Sequence, residues 1–215
     1  MKLKKSSAPN LSLALIHHPV VNRRGEPITA AVTNLDLHDI ARAAVTFGVQ
    51  SFFVVTPLPE QIALIRRLQR HWIQGIGATV NPDRRRALES IRICRQIDDV
   101  RAAIRADCGT DPLLVATTAR RQAGAIGFRV LRKWIRGRDS RPWLLLLGTA
   151  WGLADSVLAA ADYTLEPVCG PSDYNHLSVR CAAAIILDRL VGGVPVQVEP
   201  NDITAPTASK TRIDD

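Results

Sequence analysis

The sequence lacks the features that mark several classes of protein. Its four cysteines are scattered, with no C-x-x-C pair, so neither a disulfide framework nor a metal site is indicated. No apolar run approaches the ~20 residues of a membrane span, and the run 11–16 is too short for the core of a signal peptide. We therefore expect a cytoplasmic protein with no bound metal and no membrane partner.

Three common enzyme motifs are also missing. The sequence contains no G-x-G-x-x-G after a strand and no G-x-x-x-x-G-K-[ST], so it predicts neither a Rossmann dinucleotide site nor a P-loop. It also contains no G-x-S-x-G, the turn that carries the nucleophile of α/β-hydrolases. These absences argue against several enzyme classes that use an α/β fold.

Basic residues, mostly arginine, are in excess. The chain has 28 Lys and Arg against 20 Asp and Glu, a net charge of +8. Arginine suits phosphate because its planar fork forms paired hydrogen bonds to two oxygens. Charge alone leaves two interpretations open, a nucleic-acid surface and solvated helix faces. The clusters are Arg66, Arg67 and Arg70; Arg84, Arg85 and Arg86; and Arg129, Arg132, Lys133, Arg136, Arg138 and Arg141.

Short apolar runs alternate with amphipathic stretches, which predicts a doubly wound α/β domain with a mostly parallel sheet over residues 11–192. Residues 17–33 read as a long loop, 1–10 as a basic flexible N-terminus, and 193–215 as a disordered tail. The predicted strands are 11–16, 51–55, 113–116 and 143–147, and the predicted helices are 35–47, 59–72, 126–135 and 178–190.

Three loops follow the predicted strands, at the sheet edge where doubly wound folds bind ligands. They cover residues 117–121, 148–153 and 167–178. In the second loop, Gly148 and Gly152 allow close approach of the backbone and Trp151 adds a flat apolar surface. Taken alone, that loop favours a turn that enters a helix and packs a tryptophan.

Two of these loops lie in segments that resemble a known superfamily. The segments LLLLGTAWGLADSVL and EPVCGPSDYNHLSVRCAAAIILDRL resemble the second and third motifs of the SPOUT superfamily, the knotted RNA methyltransferases that use S-adenosylmethionine (SAM). The segment 33–42, TNLDLHDIAR, is similar to the first motif of the SpoU-type enzymes. The resemblance covers about residues 11–190. It is strongest to a small bacterial subfamily that is related to tRNA guanine-N1 methyltransferases.

The resemblance implies a trefoil knot in the C-terminal half and a SAM molecule held by the three loops. In this superfamily the third motif contacts SAM mainly through backbone atoms. The implied cofactor-binding residues are Thr117, Thr118, Gly148, Thr149, Trp151, Gly152, Leu153, Val168, Gly170, Tyr174, Asn175, His176, Leu177 and Ser178.

The implied catalytic residues are Arg42, Asp36 and Asn175. Arg42 occupies the position of the SpoU arginine that lies near the acceptor and its phosphate. Asp36 stands where SpoU enzymes carry Asn, and His38 departs from the pattern next to it, which argues against a ribose 2′-hydroxyl as acceptor. Asp36 and His38, with Asn34, could instead line a base pocket and accept a proton from a nucleobase nitrogen.

Several of these residues could have a purely structural role instead. Asn34 or Asp36 could cap the helix that begins there, and Ser178 could cap the last helix. His17 and the neighbouring His18 lie at the end of the first predicted strand. They could reach the base pocket from there, or they could have no role in it.

The alanine run 182–184 permits close helix packing, either within one subunit or at the homodimer interface that the resemblance implies. The prediction is a homodimeric, SAM-dependent methyltransferase of structured RNA, tRNA or rRNA. The alternative is a noncatalytic RNA-binding or ribosome-assembly protein on the same scaffold.

Overall fold

A computed structural model of the protein describes residues 9–137 and 141–193, and it contains one six-stranded parallel sheet and one small hairpin. The strands are β1 (Leu11–Ile16), β2 (Val20–Val21), β3 (Pro27–Ile28), β4 (Phe52–Val55), β5 (Ile91–Cys94), β6 (Leu113–Thr117), β7 (Trp143–Gly148) and β8 (Tyr163–Leu165). The six strands of the large sheet lie in the order β5-β4-β1-β7-β6-β8. The predicted α/β class and mostly parallel sheet are confirmed.

Helices cover both faces of the sheet. They are α1 (Asn34–Thr46), α2 (Pro59–Ile73), α3 (Gly77–Val80), α4 (Pro82–Glu89), α5 (Ile97–Cys108), α6 (Phe128–Ile135), α7 (Asp155–Ala160) and α8 (Val179–Val191). None of these helices is long and apolar enough to cross a membrane, a statement that covers the described residues only.

Alternation of side chains along the strands builds two hydrophobic cores. In β1, Leu11, Leu13 and Leu15 face one core, whereas Ala14 and Ile16 face the other. Because successive strand residues point to opposite faces, a strand that is apolar throughout has to be covered on both sides. The first core packs residues of α1, α6 and α8, and the second packs residues of α5 and α7.

The prediction of a plain loop over residues 17–33 is wrong in part. This segment contains the antiparallel hairpin of β2 and β3, in which Val20 pairs with Ile28. The Asn22 side chain accepts hydrogen bonds from the backbone N–H groups of Arg24 and Glu26 and closes the turn. Two-residue strands interrupted by Pro and Gly give almost no periodic signal, so the pattern of the sequence could not show them.

Arginines of the third basic cluster hold the end of α8. Arg132 donates to the carbonyl oxygens of Arg189 at 3.1 Å and Gly192 at 2.8 Å, and Arg136 donates to Gly192 at 3.0 Å. The last carbonyl groups of a helix lack partners within the helix, so these contacts satisfy them. At these two positions the predicted phosphate-binding surface is a structural contact.

Candidate cofactor-binding and active site

The three predicted ligand loops meet around one cavity at the carboxyl ends of β6 and β7. The cavity has a volume of about 660 Å³, within the range of small-molecule sites. Its wall combines residues 117–120, 147–152 and 175–180 with Thr33 and Asp36 from the start of α1. Segments that are far apart in the sequence therefore form one site.

The loop 148–153 turns sharply against its own backbone. The Gly152 N–H donates to the Thr149 carbonyl at 3.0 Å, and Ala150 adopts the left-handed conformation with φ of 52°. A Cβ atom on Gly148 would lie 2.7 Å from the backbone nitrogen of Leu153. Only glycine therefore fits at the end of β7, and backbone strain of this kind is common at ligand sites.

The hairpin fixes this loop in place. The Val21 N–H donates to the Gly152 carbonyl at 2.9 Å, and the Trp151 N–H donates to the Val21 carbonyl at 3.1 Å. The buried Thr149 hydroxyl donates to the Ile16 carbonyl at 3.0 Å. The loop is thus tied to the hairpin, and Val20 and Leu153 form an isolated antiparallel bridge.

We expect a Gly148→Ala substitution to weaken SAM binding by about 30-fold, equivalent to the ~2 kcal/mol typical of overpacking. The added methyl group must displace backbone that the hairpin holds. Calorimetric titration with SAM measures the effect. Gly109→Ala is the matched control, because Gly109 has φ of 78° and open space around it. Its variant should lose stability and keep SAM affinity; equal losses of affinity in both variants would contradict the prediction.

Asn175 joins two of the loops. Its side-chain amide donates to the Ala119 carbonyl at 2.9 Å and so ties the segment before α8 to the loop after β6. Ser178 caps α8 by accepting a hydrogen bond from the Cys181 N–H at 3.4 Å, which settles the role that the sequence left open. Both residues also line the cavity.

We expect Asn175→Asp to raise the dissociation constant for SAM about fivefold, because a carboxylate cannot donate to the Ala119 carbonyl and one hydrogen bond contributes about 1 kcal/mol. Equilibrium dialysis with labelled SAM measures this change. The control is Ser172→Ala, since Ser172 is exposed and its hydroxyl lies 3.5 Å from the Tyr174 carbonyl at the limit of a hydrogen bond. Unchanged SAM affinity in the Asp variant would show that the link is dispensable.

Asp36 lies in the cavity wall with only 7% of its surface exposed. One carboxylate oxygen accepts a hydrogen bond from the Thr33 hydroxyl at 2.5 Å, and the other lies 3.2 Å from the Arg180 guanidinium. Thr33, not Asn34 or Asp36, caps α1, so the suggested caps are wrong. Arg180 also lies 3.6 Å from Asp39 and thereby connects α8 to α1.

Sequence reasoning missed Arg180 as a site residue. It belongs to the motif run 173–180, but a single arginine near a helix start is usually a surface residue. Its pairing with Asp36 crosses 144 positions of sequence, a distance at which no local pattern operates. The sequence offered one indication of this pairing: a carboxylate on an apolar helix face needs a partner when it is buried.

His17 is a fully buried histidine directly after β1. Within the described part of the chain, neither ring nitrogen forms a hydrogen bond of normal geometry, although carbonyl groups of Ala30 and Ala31 lie nearby. Burial lowers the pKa of His17 from 6.5 to about 4, and the charge of Asp36 opposes this shift. The imidazole is therefore neutral near pH 7.

A family profile described as a SAM-dependent RNA methyltransferase matches residues 10–192. The chain belongs to this family. The match includes all three loops of the cavity, so the surfaces that meet there belong to the part of the chain that the family shares.

Curated relatives extend this result. The chain is 44% identical over 183 residues to a protein of Oleidesulfovibrio alaskensis named tRNA (guanine-N(1)-)-methyltransferase, with 85% of this chain and 42% of that protein covered. The chain thus spans about two fifths of that relative. An uncharacterized protein of Aquifex aeolicus is 39% identical over 181 residues, with 84% and 88% covered.

The fold also matches solved methyltransferases. A TrmH/SpoU tRNA modifying enzyme of Aquifex aeolicus superposes with a TM-score of 0.51 at 15% identity, covering 86% of this chain and 75% of the enzyme. At this identity the likeness is one of fold. The predicted resemblance in fold to a SpoU-type enzyme is confirmed.

The lining of the cavity suits SAM, the cofactor named in the family's description. Gly148 and Gly152 belong to the cavity wall and carry no side chain, so a ligand can approach the backbone closely there. Apolar Leu147 and Val168 offer a surface for an adenine ring, and the wall also contains the carboxylates Asp36 and Glu166. Carboxylate and carbonyl groups suit a cationic sulfonium.

The structure separates the remaining predicted site residues into two groups. Leu153, Gly170 and Tyr174 do not line the cavity, whereas the other predicted cofactor-binding residues do. Arg42 is exposed on α1, outside the cavity wall. His38 also lies elsewhere, with its ring edge-on to Trp72 at 5.5 Å between centroids.

Proposed function

We propose that this chain transfers a methyl group from SAM to a nucleobase of a structured RNA, with tRNA as the first substrate to test. The observation that carries the proposal is the cavity, whose wall contains both a glycine-bounded backbone turn and the carboxylate of Asp36. The name of the Oleidesulfovibrio relative supports tRNA and a guanine base. Because the cofactor and the RNA are cytoplasmic molecules, we place the reaction in the cytoplasm.

SAM supplies a methyl group that is already activated, so the chain has to align the acceptor and remove its proton. We assign the cofactor to Thr117, Thr118 and Val168, and to the backbone of residues 148–152 and 175–178. Asp36 receives the acceptor proton. Thr33 and Arg180 occupy one position on each of its oxygens and leave lone pairs free for the acceptor.

We propose that the active unit is a homodimer, because Arg42 lies outside the cavity of its own chain. A second copy would bring its Arg42 to the acceptor side, close to a phosphate of the RNA. Exposed Leu35 at the start of the same helix supports this surface as an interface.

We further propose that the C-terminal segment passes through the loop after β6 and forms a trefoil knot. Contacts on both sides of the passage support this arrangement. The Glu166 N–H donates to the Ile126 carbonyl at 2.9 Å, the Glu166 side chain accepts from the Phe128 N–H at 2.8 Å, and Asn175 bonds to Ala119.

The experiment is methyl transfer from tritium-labelled SAM to unfractionated tRNA and to rRNA, read as acid-precipitable label. We expect the label to be incorporated into RNA that comes from a strain lacking the protein. SAM binding without transfer to either RNA would favour the noncatalytic alternative and overturn the proposal.

A groove between α2 and β5 is the best candidate for the RNA backbone. It has a volume of about 930 Å³ and contains Arg66, Arg70 and Arg95. Within the described residues none of these three guanidinium groups forms an ion pair. Other arginines are engaged, such as Arg105 with Asp111 at 2.7 Å.

We expect the double variant Arg66→Gln, Arg70→Gln to bind tRNA more weakly at every salt concentration. The slope of log K against log salt should become smaller by about 1.5, since each lost phosphate contact contributes about 0.7 to 0.9. Filter binding between 50 and 200 mM salt measures the slope. Arg105→Gln is the control, and an unchanged slope in the double variant would contradict phosphate binding in the groove.

A further inference from the structure

Three aromatic rings stand side by side on the surface of the protein. Trp151 is 52% exposed and Tyr174 is 73% exposed. The His176 ring lies between them, with its centroid 6.3 Å from each of the other two. Large aromatic side chains are normally buried, so an exposed group of three indicates a surface that a partner covers.

The backbone that carries the Trp151 ring is held by hydrogen bonds. The N–H of Trp151 bonds to Val21 of the hairpin, and the preceding Ala150 is held at φ of 52°. A ring on such a turn loses little conformational freedom when it binds a ligand. Its exposure is therefore built into the turn.

The row of rings leads out of the proposed cofactor cavity. Trp151 and His176 belong to the cavity wall, whereas Tyr174 lies beyond it. An RNA with one nucleotide at the cavity would therefore pass its neighbours over these rings. The backbone atoms of the same loops remain available to the cofactor.

Arginines lie on segments that adjoin the row. Arg120 lies in the cavity wall, and the exposed Arg23 and Arg24 follow Val21 in the turn of the hairpin. In the described chain, no carboxylate pairs with any of these three side chains. Exposed aromatic faces beside unpaired arginines match the chemistry of single-stranded nucleic acid, since bases stack on rings and phosphates bind arginine.

We propose that Trp151, His176 and Tyr174 form a stacking platform for an unpaired nucleobase of the RNA substrate, next to the nucleotide that is methylated. The inference rests on the proposed function and adds how the substrate is recognised. It predicts that the substrate presents its target in a loop or another unpaired segment.

The test is the affinity for unfractionated tRNA, measured by filter binding, together with the affinity for S-adenosylhomocysteine, measured by calorimetry. We expect Tyr174→Ala to weaken tRNA binding about 5- to 150-fold, the range for loss of one base–aromatic stack, with unchanged S-adenosylhomocysteine affinity, because Tyr174 lies outside the cavity wall. Tyr174→Phe should restore most of the tRNA affinity. Ile76→Ala is the control, because Ile76 is 74% exposed on the surface before α3 and away from the platform.

Several results would overturn the platform. Unchanged tRNA affinity in Tyr174→Ala, with normal S-adenosylhomocysteine binding, would remove it and leave the proposed function intact. A parallel loss of S-adenosylhomocysteine affinity would assign the ring to the cofactor, and a change of oligomeric state in sedimentation would assign it to a protein interface. If the unsubstituted protein binds neither ligand, the proposed function fails and the platform fails with it.

Discussion

Asp36→Asn is expected to lower the rate of methyl transfer by at least about 100-fold, the lower end of the range for loss of a general base. The amide keeps the size of the carboxylate and cannot accept the acceptor proton. The substitution removes one charge from the cavity wall and leaves the loops assigned to the cofactor in place, so SAM affinity should fall far less than the rate. Single-turnover transfer to tRNA measures the rate, and calorimetry measures SAM binding.

Asp39→Asn is the matched control for this experiment. Asp39 lies 3.6 Å from the same Arg180 guanidinium, but it is exposed and outside the cavity wall. Loss of ion pairing with Arg180 would affect both variants, whereas loss of a base affects only Asp36→Asn. Equal rates in the two variants would remove Asp36 from the reaction and leave it as a structural partner of Arg180.

The second large effect concerns stability at acidic pH. The folded protein keeps His17 neutral down to about pH 4, whereas the unfolded chain protonates it near pH 6.5. The unfolded state therefore binds more protons between these values, and the free energy of unfolding falls as the pH decreases from 6.5 to 4. The loss amounts to about 3 kcal/mol at its maximum.

A His17→Leu variant should lose this pH dependence. It should also match or exceed the stability of the unsubstituted protein at pH 7, since it removes two buried nitrogens that lack normal hydrogen bonds. Urea unfolding at several values between pH 4 and 7 measures both effects. Burial also lowers the pKa of His38, but that contribution is present in both proteins. A constant difference between the two proteins across this range would contradict the prediction.

Much of the framework could be predicted because its signals are local. The strand 11–16 was predicted with the bounds that the structure shows, and the helices α1, α2 and α8 were predicted within one residue at each end. A strand covered on both faces is an unbroken apolar run, and a helix packed on one face repeats every three to four residues. The three ligand loops follow directly, since parallel strands all end at one edge.

Elements with weak periodicity were missed. The strand β5, at the edge of the sheet, carries Arg92 between apolar residues and is only partly buried, so it resembles a surface segment. The predicted helix 126–135 begins two residues later, at Phe128. Ile126 instead forms a parallel bridge with Leu165, the last residue of β8. Of the expected flexible segments 1–10 and 193–215, residues 1–8 and 194–215 lie outside the described residues, and their flexibility stays a prediction.

The sequence by itself determined the fold class, the family motifs and the edge of the sheet where the cavity lies, because periodicity and motif spacing act over a few residues. Only the tertiary structure decided that Arg180 reaches Asp36, that Arg132 caps α8 instead of facing solvent, and that a hairpin holds the turn at Gly148. Such partners lie tens of residues apart in the chain. Their contacts depend on how whole helices and strands pack, which no local pattern of residues encodes.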